Sequence, residues 1–380
     1  MFFLLPDHNR TCFLTFNVPV PIINTLRKII MCDLINPGFH PKNVTVIRNT
    51  STCNNEILIH RVSLVPIQIN PNQSNTFELN VMNTVDEPKY VTTNDFIGNG
   101  NPSAIIYKDI ILCLLKKSEE IQMIAKADMG TGKDHICYRP VANVFFKKLK
   151  FLYVRKEMNQ INQINEQINQ INKIYPLDIL KSIKTTKINC IEYPNYDCIG
   201  FSPELNDLND EELKKYLKLT DIDIISKNDH YALFIESFFE MHNSVKILSL
   251  AIKEFQKKLM QFKPYLLNEF NQKSNEESNE ESNKESNEES NKESNEKPSN
   301  KLRKFIQSID IKFENILHVF AYYMNQNESV SFANCNKNHP HSPTIDLYIW
   351  YKNETKIDEI IQKTFIDLYQ YLNDIDILEL

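Results

Sequence analysis

Along residues 21–34 the apolar side chains fall at Ile22, Ile23, Leu26, Ile29, Ile30 and Leu34. That spacing forms one broad stripe on a helix. Pro19 and Pro21 stand at its start, where a missing N–H costs little, and Pro37-Gly38 is expected to stop it. The opposite face carries Asn24, Arg27 and Lys28. A weaker echo lies at Glu314–Phe320, where Asn315 again precedes a Leu, Leu317, by two residues. The two stretches read as versions of one helix brought together in a single chain.

Between and beyond them the period alternates. Phe13–Phe16 reads as a strand feeding the first helix, and Val44–Ile47 as a second strand. Glu56–Pro66 reads as a short helix ending near its proline. From Phe77 to Phe146 the pattern is mostly short strands, with a turn at Gly98–Pro102 and strand signals at Ile110–Leu114 and Ile121–Met123. Residues 157–174 are a low-complexity run of Asn, Gln and Ile, expected as a loop insertion. Residues 191–220 give no clear signal. Tyr231–Ser237 reads as a strand. A helix follows, with Ser244 as its N-cap and Leu248, Ala251, Ile252, Phe255, Leu259 and Phe262 on one face. Ile309, Ile311 and Phe313 alternate as on a strand. Asn315–Asn325 reads as a helix, Val330–Ala333 and Ile345–Ile349 as strands. Ile357, Ile360, Ile361, Thr364, Leu368 and Tyr371 line a final helix.

Composition alters this picture in one place. Residues 271–300 repeat Ser, Asn and Glu and carry nine Glu against four Lys, which is −5 of the chain's net −6. With almost no apolar residue the stretch cannot bury enough surface to order itself. As a flexible linker of about 30 residues it would span roughly 30 Å. The remainder is near neutral, whereas a chain that clamps nucleic acid by itself usually has a basic surplus. At 380 residues with 42% hydrophobic content there is room for two or three cores. The eight cysteines are scattered with no C-x-x-C pair, which suggests reduced thiols and a cytoplasmic setting. Met1–Leu5 is too short an apolar run for a signal peptide, and no run of ~18 apolar residues is present to span a membrane.

Four blocks then stand in order: Asn24-Thr25-Leu26-Arg27-Lys28; Asn49-Thr50-Ser51; His60-Arg61-Val62-Ser63-Leu64-Val65-Pro66; and Gly130-Thr131-Gly132-Lys133-Asp134-His135 with Pro140-Val141. Together they resemble the α-like subunit family of multisubunit RNA polymerases: bacterial α, the archaeal D subunit and the third-largest eukaryotic subunit. Residues 301–380 resemble that subunit's small partner, the archaeal L-type or eleventh-subunit family. Val330-Ser331-Phe332-Ala333 carries the match, and Asn338-His339-Pro340 carries it in part. That family's Thr-Leu-Gly-Asn is degraded here to Lys312-Phe313-Glu314-Asn315, and His318 replaces an Arg. A fusion of the two is similar to the fused subunit of large nucleocytoplasmic DNA viruses. The Asn/Lys/Ile-rich composition fits an AT-rich genome, viral or protist.

The resemblance implies an α+β fold in which two dimerisation modules, each of helices packed on a small antiparallel sheet, form an internal pseudo-heterodimer. A mostly β domain is inserted. The implied parts are a discontinuous α-like subdomain (1–48 and 216–270), the inserted domain (49–215), the linker (271–300) and the small-partner module (301–380). The implied dimerisation residues are Ile22, Leu26, Ile29, Ile30, Leu248, Ile252, Phe255, Leu259, Asn315, Leu317, Phe320 and Phe332. Contacts to the large subunits are implied for Asn24, Arg27, Lys28, His60, Arg61, Lys133 and His135.

Sharper chemical readings compete with these. Gly130–Lys133 suggests a phosphate loop, but Ala127 and Asp134 occupy positions where a Walker A loop needs Gly and Ser/Thr, so a structural turn is preferred. Cys335, His339 and His341 offer three metal ligands with no fourth at a useful spacing. Some α-like subunits carry a zinc loop or an iron–sulfur cluster in the inserted domain; residues 66–112 hold no Cys, so no metal or cofactor is expected. His60 and His135 lack a nucleophile or carboxylate partner at a known spacing, so no catalytic residue is expected. The function implied is a non-catalytic assembly subunit of DNA-directed RNA polymerase. Its partners would be the largest and second-largest subunits and small zinc-binding subunits, with little direct nucleic-acid contact and no membrane. The expected location is cytoplasmic or, for a virus, the host cytoplasm and the virion. The alternative is an interaction protein that keeps the fold and acts outside the polymerase.

Overall fold

A computed structural model describes residues 2–5, 11–15, 17–69, 75–98, 104–105, 107–155, 196–202, 222–238, 241–284, 302–352 and 356–379. The 157–174 run and most of the Gly98–Pro102 turn lie outside them. The architecture mixes helices with several small, mainly antiparallel sheets, an α+β arrangement. Contacts divide the chain into two units, one of residues 1–27, 145–235 and 252–380, the other of residues 28–144 and 236–251. These boundaries fall inside two helices and two strands.

The first unit holds β1 (Phe2–Leu5), β2 (Thr11–Thr15) and the start of α1 (Val20–Cys32). Pro19 gives its carbonyl to the N–H groups of Ile22 and Ile23, so the prolines open the helix as expected. The expected stop is different. The helix ends at Cys32, and Pro37-Gly38 belongs to a strand, β3 (Ile35–Gly38), in the second unit. All five residues of β2 are buried. Its neighbours are β1 on one side and the strand Ile222–Ser237 on the other.

The second unit contains β3 to β10: β4 (Val44–Asn49), β5 (Thr76–Met82), β6 (Lys89–Thr92), β7 (Phe96–Gly98), β8 (Ile111–Leu115), β9 (Glu120–Lys126) and β10 (Asp128–Thr131). The short helix α2 (Asn55–Ser63) lies between β4 and β5. The sheet order is β4-β9-β5-β7, with two-stranded pairs β3-β10 and β6-β8. Alternation in β5 and β9 sends Phe77, Leu79, Val81, Ile121, Met123 and Ala125 into a core shared with Phe39, Leu58 and Val62. Phe39 meets Phe77 edge to face at 5.3 Å.

From β11 (Val141–Arg155) the chain returns to the first unit through β12 (Tyr196–Ser202) and β13 (Ile222–Ser237). The six-stranded order is β12-β11-β13-β2-β1-β17, where β17 (Ile377–Glu379) pairs parallel with β1. Helix α3 (Met241–Lys284) follows β13. It begins three residues before Ser244, which is therefore a buried first-turn residue and not the N-cap. It also continues past residue 270, where composition sets the start of the linker; residues 285–301 lie outside the described residues.

The C-terminal stretch builds β14 (Leu302–Asp310), α4 (Glu314–Met324), β15 (Val330–Asn336), β16 (Thr344–Lys352) and α5 (Ile357–Asn373). The alternation through Ile311 and Phe313 is not strand. Asp310 accepts the Lys312 N–H at 2.8 Å and starts a 3-10 turn over Ile311–Phe313, so the strand ends one residue earlier. The three-stranded order is β14-β16-β15. Phe262 of α3 lies 5.2–5.6 Å from the rings of Phe313, Phe320 and Phe365. These four rings form one aromatic core that joins α3 to the C-terminal stretch.

Candidate functional site

The apolar stripe of α1 is buried as its period requires: Ile22, Ile23, Leu26, Ile29 and Ile30 are all fully inaccessible. Asn24, Arg27 and Lys28 are half-buried on the other side. Arg27 Nε and Nη2 both donate to Asn24 Oδ1, at 3.1 and 3.0 Å. This fixes the guanidinium along the helix and spares rotamer entropy that a contact would otherwise lose. Thr25 Oγ1 donates to the backbone carbonyl of Asn315 at 3.1 Å.

The other candidate dimerisation residues divide unevenly. Leu248, Ile252, Phe255, Leu259, Leu317 and Phe320 are buried, and Asn315 is half-buried. Phe332 is not buried: it is 47% exposed. A register shift between Val330 and Phe332 turns Ser331 and Phe332 both outward, so Ala333 and Cys335 take the inward positions. Strict alternation from Val330 cannot reveal that bulge.

The glycine-rich block closes the end of α1. Lys133 N–H donates to the Cys32 carbonyl at 3.0 Å, one of the orphan acceptors at the helix terminus. Lys133 Nζ lies 2.7 Å from the carboxylate of buried Asp33. A Cβ on Gly132 would lie 2.0 Å from the Met31 carbonyl oxygen, so only glycine permits this approach. Thr131 donates its N–H and hydroxyl to Asp134, which holds that carboxyl below its usual range. Lys133 thus ties the glycine-rich turn to Asp33.

Two histidines cap 3-10 turns nearby. His40 Nδ1 accepts the Lys42 N–H and His135 Nδ1 accepts the Cys137 N–H, each at 3.2 Å. Their rings are 5.2 Å apart. Burial, then the neighbouring His40 and His60, push the His135 pKa down. Tyr138 OH donates to Asp128, which also accepts from Asn43. In the Asn49-Thr50-Ser51 block, Asn49 Oδ1 accepts from the N–H and hydroxyl of Ser51 while Thr50 bonds Glu120 across the sheet. His60 and Arg61 are exposed on α2, and Arg61 Nη1 donates to the Leu112 carbonyl at 2.8 Å.

Sequence reasoning missed the surroundings of these motifs. Pro37, Leu64, Pro66, Ile136 and Arg139 line a cavity of about 290 Å³ in the second unit. Leu64 and Ile136 are exposed apolar residues, the first within a motif block and the second directly after one. Cys335 does not join His339 and His341. Its sulfur lies 2.9 Å from His318 Nδ1, and burial pushes its thiol up to about 11. Among the described residues no group of three His, Cys, Asp or Glu is arranged to hold a metal ion, and no helix is long and apolar enough to cross a membrane.

No family model matches the chain. It is 31% identical over 149 residues to DNA-directed RNA polymerase subunit Rpo3 of Methanobrevibacter smithii, covering 36% of this chain and 53% of that protein. It is 24% identical over 295 residues to the DNA-directed RNA polymerases I and III subunit RPAC1 of Homo sapiens, covering 67% of this chain and 81% of that protein. Rpo3 of Pyrobaculum aerophilum is 28% identical over 134 residues, 31% of this chain and 50% of that protein. The chain is homologous, at low identity, to these polymerase subunits. It spans about half the length of the archaeal relatives and most of the human one. The buried α1 stripe, the Asn24–Arg27 fork and the glycine-rich cap are the local structures formed by two of the motif blocks that carry the α-like resemblance.

Proposed function

We propose that this chain is a non-catalytic assembly subunit of DNA-directed RNA polymerase. In this reading, residues 1–48 and 216–270 form an α-like dimerisation subdomain, residues 49–215 an inserted domain, and residues 301–380 a small-partner module. The two modules pair within one chain, as an internal pseudo-heterodimer. The observation that carries the pairing is the packing of Phe262 against Phe313, Phe320 and Phe365. The Thr25–Asn315 hydrogen bond and the β1–β17 strand pair support it.

A permanently paired scaffold removes a bimolecular step from assembly, because the linker holds the second module at high effective concentration. The pair then captures the second-largest subunit, and the largest joins afterwards. Nucleotide addition belongs to those large subunits. Arg27, fixed by Asn24, is the side chain we assign first to the large-subunit contact, followed by Lys28, His60, Arg61 and His135. Lys133 contributes through its backbone position, since its ammonium is held by Asp33. Small zinc-binding subunits complete the partners. The fused arrangement is the kind found in large nucleocytoplasmic DNA viruses, which would set the protein to work in host cytoplasm and virion.

Co-expression with the second-largest and largest subunits tests the reading. The expected result is a complex of the two large subunits that forms with this chain and not without it. Large subunits that associate equally well in its absence would remove the scaffolding role.

A further inference from the structure

Arg139 is a cation that neither the fold nor the assembly reading uses. Its backbone is fixed, because the Arg139 N–H donates to the Ile136 carbonyl at 3.0 Å and closes the 3-10 turn Ile136–Tyr138. Its stem passes the glycine-rich turn, where a Cβ on Gly132 would lie 3.2 Å from Arg139 Cγ. Arg139 also lines the cavity of about 290 Å³ in the second unit. Its Nε is buried, and among the described residues no atom accepts that hydrogen and no carboxylate pairs with the guanidinium.

A half-buried guanidinium has lost part of its water, and a buried N–H without an acceptor costs free energy. Arginine cannot shed its proton to escape that cost. An anion entering the cavity therefore meets a donor whose desolvation the fold has already incurred.

The rest of the wall carries no charge. Leu64, Pro66, Ile136, Val141 and Phe238 make it largely apolar. Burial pushes the Cys137 thiol up to about 12, so it stays neutral. Asp33 and Asp128 do not line the cavity; Asp33 pairs with Lys133, and Asp128 accepts from Tyr138 and Asn43.

Size and charge then select the occupant. About 290 Å³ lies at the lower end for ligand sites, room for one or two side chains and not for a nucleotide. One guanidinium matches one carboxylate, which its planar fork can hold through two N–H groups. A polyanion would draw on several basic residues, and the wall has one. Leu64 and Ile136 line the cavity and are also 43% and 48% exposed, so the apolar surface continues outside it. A free acid would leave that rim uncovered, whereas an acidic side chain on an apolar segment covers it.

We propose that this cavity receives an Asp or Glu side chain from an apolar segment of a protein partner. The carboxylate pairs with Arg139, and the flanking apolar residues cover Leu64 and Ile136. The cavity lies between the block that holds His60 and Arg61 and the residues that follow His135. Naming the large subunit as that partner rests on the assembly reading; the carboxylate chemistry does not.

Full-length protein is titrated by isothermal calorimetry with a capped Leu-Glu-Leu peptide, its Leu-Gln-Leu counterpart, 4-methylpentanoate and inorganic phosphate. The Glu peptide should bind saturably, and the other three about tenfold more weakly or not at all. Arg139→Gln should weaken the Glu peptide about tenfold and leave the Gln peptide unchanged. Arg139→Lys should weaken it less, since it keeps the charge and loses the fork. Ile136→Ser should weaken both peptides. All three variants should melt like the parent, because Arg139 has no partner to lose and Ile136 is exposed. The proposal is overturned if the Glu peptide shows no saturable binding up to about 10 mM. Equal binding of the Glu and Gln peptides, or unchanged binding by a folded Arg139→Gln chain, overturns it as well. So does 4-methylpentanoate or phosphate binding as tightly as the Glu peptide, which would mean a small-acid or phosphate site. No polymerase subunit is present in these titrations, so a negative result removes the carboxylate site and leaves the scaffolding role to the co-expression experiment.

Discussion

Thr25 Oγ1 donates to the backbone carbonyl of Asn315, residues 290 apart in sequence and each on a helix with the same Asn-x-Leu pattern. The bond ties the two helices at the point where the motif repeats. Thr25→Val keeps the shape and removes the donor, leaving the carbonyl without that partner. The expected loss is about 1 kcal/mol, measured by urea unfolding.

Phe262 is fully buried among three other rings. Phe262→Ala should cost about 3–5 kcal/mol through lost burial and the cavity it leaves. If the two modules pair through this core, residues 1–284 and 301–380 supplied as separate chains should associate at micromolar concentration. Phe262→Ala should weaken that association. Pieces that stay apart in gel filtration would count against the internal pair.

Gly132→Ala should destabilise the second unit more than an ordinary surface substitution, because the new Cβ meets the Met31 carbonyl at 2.0 Å. Backbone cannot move aside as a flexible side chain can, so a loss of roughly 2 kcal/mol or more is expected. Gly130→Ala meets the Tyr138 ring instead, at 2.5 Å, and should also lower the melting temperature.

Acid should loosen the same region. The folded pKa of His135 lies below its unfolded value, so the unfolded chain binds the proton more readily. The contribution of His135 is present above about pH 6.5 and is lost as pH falls through that value and then through the folded pKa. Protonation also removes the Nδ1 acceptor that caps Ile136–Tyr138 and sets like charge beside His40. Asp134, lowered by its bonds to Thr131, loses its smaller, solvent-screened contribution only at more acidic pH. A melting series from about pH 8 to about pH 5 should fall for the parent. It should be flatter for His135→Asn, whose amide oxygen can still accept; parallel curves would exclude His135 as the cause.

Much of this fold was legible because burial and period agree. The α1 stripe, the α5 stripe and the alternation of β5 and β9 follow from one buried face each. The departures come where a local polar bond or a third element competes with period. Asp310 turns Ile311–Phe313 into a 3-10 turn although the alternation continues through it. Pro37-Gly38 pairs with β10, with Met129 and Asp128 opposite, a long-range partner no local signal announces. The Phe332 bulge and the Lys133 cap on α1 likewise depend on a second strand or helix. Tyr196–Ser202 gives no clear alternation yet pairs with β11.

Leu26→Asp and Arg27→Glu separate folding from contact. Leu26 is fully buried, so an unpaired carboxylate there should cost several kcal/mol and unfold or part the modules. Arg27→Glu gives up the two bonds to Asn24 from a half-buried position and should leave the chain folded. It should lower recovery of the second-largest subunit by reversing charge in that contact. Normal recovery with a folded Arg27→Glu chain would remove Arg27 from the contact.

The most direct measurement is affinity purification of the tagged full-length chain from the cells in which it is made, with every co-purifying protein quantified by mass spectrometry. Both large subunits of a DNA-directed RNA polymerase should be recovered in equal amount with the chain, and they should remain after a salt wash that strips screened surface contacts. A folded, soluble chain recovered with neither large subunit would contradict its assignment as an assembly subunit.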